Sequence, residues 1–438
     1  MPVSSPSSLS AGLSQPVAML GGGVSGLGVQ KLLAAAGVQS QLYDAAGEPF
    51  SAAAAARHRL LVYSPGFPPH HPWLEMARAA GIECWAELDF AAAFWTGRLI
   101  AITGTNGKTT LTEFLVHALT EAGVTAYATG NIGRSFSQLN ADLGGGSAEL
   151  IAVCEVSSFQ SESLREFHPE ATLWTNFAED HLERHGSMAE YFAAKAVLIG
   201  RSDQVFVGSS VSEWVARVVP NALDVGSRTA PFSALGTTRS TTQNLPADPA
   251  LTGTVFAEQP QRENFVLAAA WWQSANLSLD LLYGAAHTFR LGRHRLGLAG
   301  VVGEVAYWND SKATNFHAVE AALARFGTPV WLIAGGKSKG GDLAGFVARI
   351  APRVKELFLI GDTAEELAAA AGALGLTCRI CPQLRDAVHA AAEAARPGDQ
   401  VLLSPGFASF DQFRNYQDRG DQFEAIVREL AAAVPISR

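Results

Sequence analysis

Gly104-Thr105-Asn106-Gly107-Lys108-Thr109-Thr110 connects an apolar run, residues 99 to 103, to a stretch of helical periodicity from 108 to about 122. Small residues in a strand-to-helix turn let successive backbone N–H groups curl around phosphate oxygens at the helix N-terminus. Lys108 would neutralise the β- and γ-phosphates of a nucleoside triphosphate, and Thr109 offers a hydroxyl where magnesium is usually reached. Ile102 stands where the GxxxxGK[ST] loop has its first glycine, so only the later part of that pattern is met. Downstream, residues 150 to 153 read as an apolar strand that delivers Glu155, followed by Ser157 and Ser158. A glutamate after a strand is commonly a solvated turn residue, but beside a phosphate loop it is a hard oxygen ligand for magnesium.

Three further clusters mix acids, bases and hydroxyls. The run from Thr175 to His185 holds Glu179, Asp180, His181, Glu183 and His185, with Lys195 in the helix that follows. It reads either as a charged surface turn or as a site in which His181 binds a cation. Asn309 to Asn315, Gly335 to Asp342 and Ser404 to Ser409 each follow an apolar strand, and loops at strand C-terminal ends are where open α/β sheets hold ligands. Near the N-terminus, Gly21-x-Gly23-x-x-Gly26 with Asp44 further on fits a dinucleotide fingerprint or, equally, a cradle for a nucleotide diphosphate.

The elements that must position these groups alternate strand and helix. Strands are expected at 17–20, 60–63, 99–103, 150–153, 172–175, 303–308, 330–334, 357–360 and 400–403, with helices at 27–36, 72–80, 108–122, 318–325 and 384–395. This predicts an α/β protein of three domains, 1–97, 98–290 and 291–438, the central one with a parallel sheet. Residues 226–260 are rich in Thr, Ser, Ala and Pro and are read as loops and short strands. Cys378 and Cys381 form a lone CxxC without a second pair, so they are read as strand residues and not as a zinc or redox site.

Composition narrows the function classes. With 48% hydrophobic and 17% charged residues the chain should bury compact cores, and its net charge of −9 argues against nucleic acid and anionic lipid as partners. The first basic residue is Lys31 and no apolar run is long enough to span a bilayer, so a cytoplasmic protein is expected.

In their order along the chain, Gly104 to Thr110, Glu155-Val156-Ser157-Ser158, Asp180-His181, His294-Arg295, Asn309 to Asn315 and Leu403-Ser404-Pro405 resemble the Mur ligases over nearly the whole length. Asp310 to Asn315 and Ala408 to Phe413 are most similar to the members that join D-glutamate to UDP-N-acetylmuramoyl-L-alanine, and the DNPR tetrapeptide of the diaminopimelate-adding members is absent. The resemblance implies Rossmann-like N- and C-terminal domains around a P-loop ATPase-like one, with catalysis at the junction of the second and third domains. It implies ATP and two magnesium ions, small-molecule substrates only, and a monomer in the cytoplasm.

Carried over by position, the resemblance places Glu155 and Thr109 on one magnesium and His181 with a carbamylated Lys195 on the second. Gly104, Thr105, Asn106, Gly107, Lys108, Thr109, Thr110, Asn264, Arg295 and Asp310 would contact ATP, and Lys312 would lie near the reacting phosphate. Val24, Ser25, Gly26, Asp44, Asn131 and Ser157 would receive the UDP-sugar. Thr314, Lys339, Ser409 and Tyr416 would receive D-glutamate, with Lys339 chosen over Lys337. Leu267 stands in place of a second asparagine, Arg293 in place of a proline, and Tyr416 in place of a phenylalanine. Three rivals are another Mur ligase or a folate polyglutamate ligase, a nucleotide switch, and an NAD-dependent oxidoreductase.

Overall fold

The computed structural model describes residues 7–218, 238–240 and 248–433. The chain forms two compact units, one of Met1–Phe177 with Ala189–Phe289, the other of Ala178–Met188 with Arg290–Arg438. Among the described residues no helix is long and apolar enough to cross a membrane.

The first unit carries two sheets. One consists of β1 (Val17–Leu20), β2 (Ser40–Tyr43), β3 (Leu60–Tyr63) and β4 (Glu83–Ala86), all parallel, in the order β2-β1-β3-β4. The other consists of β5 (Arg98–Thr103), β6 (Ala126–Gly130), β7 (Ile151–Glu155), β8 (Ala171–Trp174), β9 (Gln204–Val207) and β10 (Thr238–Ser240). Its order is β10-β9-β8-β5-β7-β6 and every pairing is parallel. β7 and β8 are buried at every position, as strands covered by helices on both faces must be. Of the stretch 226–260, residues 226–237 and 241–247 lie outside the described residues; β10 and a short 3-10 turn at Pro249–Leu251 are what is seen.

The second unit has one sheet of β11 (Gly297–Val302), β12 (Val305–Asn309), β13 (Val330–Gly335), β14 (Val354–Ile360), β15 (Cys378–Ile380) and β16 (Gln400–Leu403), in the order β11-β12-β16-β13-β14-β15. Separate apolar clusters, around Phe346 on one face and Phe423 on the other, cover it. Only β11 runs antiparallel, and it joins β12 through a two-residue turn with Gly303 at φ 55 and Glu304 at φ 63. The strand expected from 303 therefore starts at Val305, because two left-handed residues form a hairpin turn there.

Candidate active site

In the first unit, β5 ends between β7 and β8, so the phosphate loop and Glu155 emerge from neighbouring strand ends. The loop's glycines are required: a Cβ on Gly104 would come within 1.9 Å of Thr175 Oγ1, and one on Gly107, at φ 81, within 2.9 Å of the Asn264 amide. Backbone bonds pin the loop further, with Thr105 N–H donating to the Asn176 carbonyl (3.0 Å) and Asn106 N–H to Asn176 Oδ1 (2.9 Å). Thr175 Oγ1 donates to the Asn106 carbonyl (2.5 Å). The acid-rich run that begins at Thr175 thus divides: Thr175 and Asn176 brace the phosphate loop, whereas residues from Ala178 to Met188 belong to the second unit.

Lys108 opens the helix Lys108–Glu121 and folds back, its Nζ donating to the Gly104 and Thr105 carbonyls at 2.9 Å each. Lys195, only 1% exposed, also donates to the Gly104 carbonyl (2.9 Å) and to Thr103 Oγ1 (3.3 Å), with its Nζ 5.0 Å from the centre of the Tyr191 ring. Two amines on one carbonyl make this turn strongly electropositive, as an anion site requires.

Glu155 is buried; Oε1 accepts a bond from Asn131 Nδ2 (2.9 Å), while Oε2 is buried without a hydrogen-bond partner, as is the hydroxyl of Thr110 in the loop. A buried carboxylate oxygen left open beside a phosphate loop suits a hard cation. No group of three or more His, Cys, Asp or Glu gathers as a metal site among the described residues. Magnesium commonly takes one or two carboxylates and completes its shell with phosphate and water. Asn264, in the helix Gln261–Ser274, packs on Gly107 while its Nδ2 donates to Gln261 Oε1 (2.8 Å); Leu267, one turn on, is fully buried core.

The N-terminal glycine loop leads into a helix at Val24–Ala35, three residues before the expected start at 27, with Val24 and Leu27 both exposed. A Cβ on Gly26 would lie 1.8 Å from the Gly21 carbonyl, so only glycine permits this close strand-to-helix packing. Asp44, at the end of the adjacent β2, accepts from Gly22 N–H (2.8 Å) and Ala46 N–H (3.1 Å), bonds that hold its carboxyl below the usual range. Val24, Ser25 and Gly26 thus form the first turn of that helix, and Asp44 is tied to the glycine loop just before it. Asn131 instead lies beside Glu155, and the Ser157 hydroxyl is engaged in a capping box with Gln160.

In the second unit the three ligand loops follow β12, β16 and β13, which are neighbours in the sheet. Their carboxyl ends form one edge, although the strands lie up to about a hundred residues apart in sequence. A cavity there is lined by Glu179, Asp180, His181, Thr314, Lys339 and Phe407, among others. Lys339 Nζ lies 3.2 Å from Asp180 Oδ1, and Asn315 Nδ2 donates to Asp180 Oδ2 at 3.2 Å. His181, at φ 54, has Nε2 3.6 Å from Asp180 and Nδ1 3.5 Å from Glu183. Lys337 is exposed, its backbone bridging Ala408. Ser409 is buried beyond Phe407, and the Tyr416 ring lies under Lys312 Nζ at 4.1 Å. His181 belongs to the second unit and Lys195 to the first.

Asp310 accepts from Ser404 Oγ (2.8 Å) and Leu296 N–H (3.1 Å), yet burial pushes its carboxyl up to about 7, against the pull of those bonds and of Arg295 and Arg419. With the folded pKa raised, its stabilising effect is complete below the unfolded value and is lost as pH rises through about 7. The Tm of ligand-free wild type relative to D310N should therefore fall from about pH 5 to about pH 7. Thermal scans of both proteins would read this, and a pH-independent difference would contradict it.

Sequence reading missed two partners. Asp180 was visible in the acid-rich run, but its pairing with Lys339 spans over 150 residues. Arg419, fully buried in the helix Tyr416–Ala433, gave no local signal. All four cysteines are free thiols, and burial raises each above the usual range, in keeping with strand and core residues.

Comparison with known proteins places this geometry. Residues 102–256 match the Mur ligase middle domain, and residues 294–407 match the Mur ligase, glutamate ligase domain. A UDP-N-acetylmuramoylalanine–D-glutamate ligase of Synechococcus sp. (strain CC9605) is 35% identical, covering 84% of each chain, and one of Myxococcus xanthus is 33% identical, covering 95% of this chain and 98% of its own. Among solved structures, a pseudomurein peptide ligase type C from Methanothermus fervidus shares the fold, with TM-score 0.59 and 14% identity over 95% of this chain and all of its own. So does Mycobacterium tuberculosis folylpolyglutamate synthase complexed with ADP, with TM-score 0.58 and 16% identity over 80% of this chain and 93% of its own. An α/β chain with parallel sheets, a phosphate loop and both matching domains belongs to the Mur ligase family and is an ATP-dependent ligase that forms amide bonds.

Proposed function

We propose that this ligase joins D-glutamate to the alanine carboxylate of UDP-N-acetylmuramoyl-L-alanine, releasing ADP and phosphate, in peptidoglycan precursor synthesis. The observation that carries the reading is the Lys339–Asp180 pair in a cavity with Thr314. A cation, an anion and a hydroxyl at that spacing suit the carboxylate and ammonium of an amino acid. Relatives 33–35% identical over most of the chain bear the name of this activity. The division into domains at 97 and 290, and the assignment of Val24, Ser25, Gly26, Asp44, Asn131 and Ser157 to the UDP-sugar, form part of the same reading.

A carboxylate is a poor electrophile, so one of its oxygens first attacks the γ-phosphorus of ATP and ADP leaves. The amine of D-glutamate then adds to the acyl phosphate carbon and loses its proton. The tetrahedral intermediate collapses with departure of phosphate. Lys108 leaves its two carbonyls for the phosphate oxygens and offsets the charge spread over them. Magnesium, held by the Thr109 hydroxyl and the open oxygen of Glu155, would supply further charge neutralisation. Asn264 steadies Gly107, Asp310 and Arg295 are the nucleotide contacts assigned to the second unit, and Lys312 is held on Tyr416 for the reacting phosphate.

Lys339→Ala should raise KM for D-glutamate roughly a hundredfold, since it removes one side of a largely desolvated charge pair. Lys337→Ala should change KM by less than about threefold, its side chain being exposed. Steady-state kinetics of the two variants would decide between the lysines, and equal effects would overturn the assignment. Product identification by mass, with D-glutamate, L-lysine or meso-diaminopimelate offered separately, tests the substrate itself. A product with either of the latter two and none with D-glutamate would point to another member of the family.

A further inference from the structure

Arg419 has no measurable exposure and uses its whole guanidinium on two loops. Nε donates to Ser311 Oγ (3.0 Å) and Nη2 to the Ser311 carbonyl (2.9 Å), while Nη1 and Nη2 both reach the Phe407 carbonyl at 3.3 Å. Ser311 Oγ passes its own proton to the Tyr416 carbonyl (2.8 Å), at the start of Arg419's helix. The two loops also meet directly, through Gly406 N–H on the Ala313 carbonyl (3.0 Å). One side chain thereby ties together the loop that carries Asp310, Lys312 and Thr314, the loop that carries Phe407 and Ser409, and the helix that carries Tyr416.

All four bonds end on neutral oxygens. Asp310 and Asp411 lie near enough to favour the charge, but neither accepts one of these bonds, and burial pulls the guanidinium down to about 10. An apolar side chain of similar volume would avoid the desolvation of a buried cation, so packing alone does not account for arginine here. Its planar fork does what an apolar group cannot: it sets two backbone carbonyls at a fixed separation.

We propose that Arg419 is a positioning residue for the amino-acid pocket, holding the Ser311 and Phe407 backbones so that Thr314, Phe407 and Ser409 meet the substrate in register. This rests on the reading of the second unit's cavity as the amino-acid site. Arg419 is not among the residues that line that cavity.

The test uses the full chain as wild type, R419K and R419M, with three readouts: KM for each substrate and kcat, thermal unfolding, and hydrogen exchange of the amides of Ser311, Ala313, Gly406 and Ala408. Lysine keeps the buried charge but loses the fork, whereas methionine sheds both the charge and its desolvation, so R419M should unfold no lower than R419K. R419K should still raise KM for D-glutamate on the order of tenfold or more, leaving KM for ATP and for UDP-N-acetylmuramoyl-L-alanine within about twofold. The four loop amides should exchange faster in R419K while those of β14 stay unchanged. If R419K matches wild type in D-glutamate KM and in loop exchange, or if every kinetic constant worsens in parallel with thermal stability, the proposal is wrong. Should wild type itself ignore D-glutamate, the substrate reading fails and the loop exchange decides the role of Arg419.

Discussion

Lys108→Ala lowers the rate of ATP-dependent phosphate release by about a thousandfold or more, as expected when a preorganised cation is removed from a transferring phosphoryl group. Three features set that expectation: a helix N-terminus, two glycines that nothing larger can replace, and an amine already held at the mouth of the loop by the Gly104 and Thr105 carbonyls. The side chain is only partly buried, and the helix keeps its N-cap at Gly107, so the variant should fold with little change in Tm. Lys108→Arg should not restore activity, because a planar fork does not fit where a compact ammonium lies between two carbonyls. Phosphate release by single-turnover kinetics separates this from a loss of nucleotide binding. Retention of more than about a tenth of the wild-type rate would contradict the role, since cation removal from such sites costs at least two orders of magnitude.

The second large effect is expected at Lys195. An amine that is fully buried, lies over Tyr191 and donates to the phosphate loop has two possible uses. As a cation it would support the loop, and Lys195→Arg would keep part of the activity. As a carbamate, which the family resemblance implies, it would present an anion to magnesium, and Lys195→Arg would fail as completely as Lys195→Ala, with losses on the order of a hundredfold or more. Lys195→Glu should then recover part of what alanine loses. A spectroscopic check needs no turnover: protein equilibrated with 13C-bicarbonate should show a carbamate carbonyl signal that is absent from Lys195→Arg. Activity retained in the arginine variant, with no such signal in wild type, would favour the simple cation.

What could be read from the sequence follows from how local each feature is. The phosphate loop and its helix were legible because glycine, lysine and threonine act within one turn, and β5 to Lys108 falls where the apolar run ends. Glu155 was legible as a carboxylate at a strand end, and the strand in fact runs through it. The pairing of β16 between β12 and β13 was not, since its partners lie about ninety and seventy residues upstream and parallel strands carry no turn signature. That insertion is what brings the loops of Ser311 and Phe407 together, so neither Arg419's role nor the edge it braces could be deduced from spacing. β11 escaped notice because Gly297–Val302 is glycine-rich, half exposed and without a buried position or apolar alternation. The role of Lys195 came from resemblance alone; nothing near it in sequence distinguishes it from a surface lysine, and only its burial against Gly104 sets it apart.

The most direct test of the central claim is phosphate release by the purified protein with ATP, magnesium and UDP-N-acetylmuramoyl-L-alanine, run with D-glutamate, with L-glutamate and with no amino acid. Release that requires both the UDP-sugar and D-glutamate, and that L-glutamate does not support, is the predicted result. Release that is indifferent to D-glutamate, or that proceeds without the UDP-sugar, would contradict it.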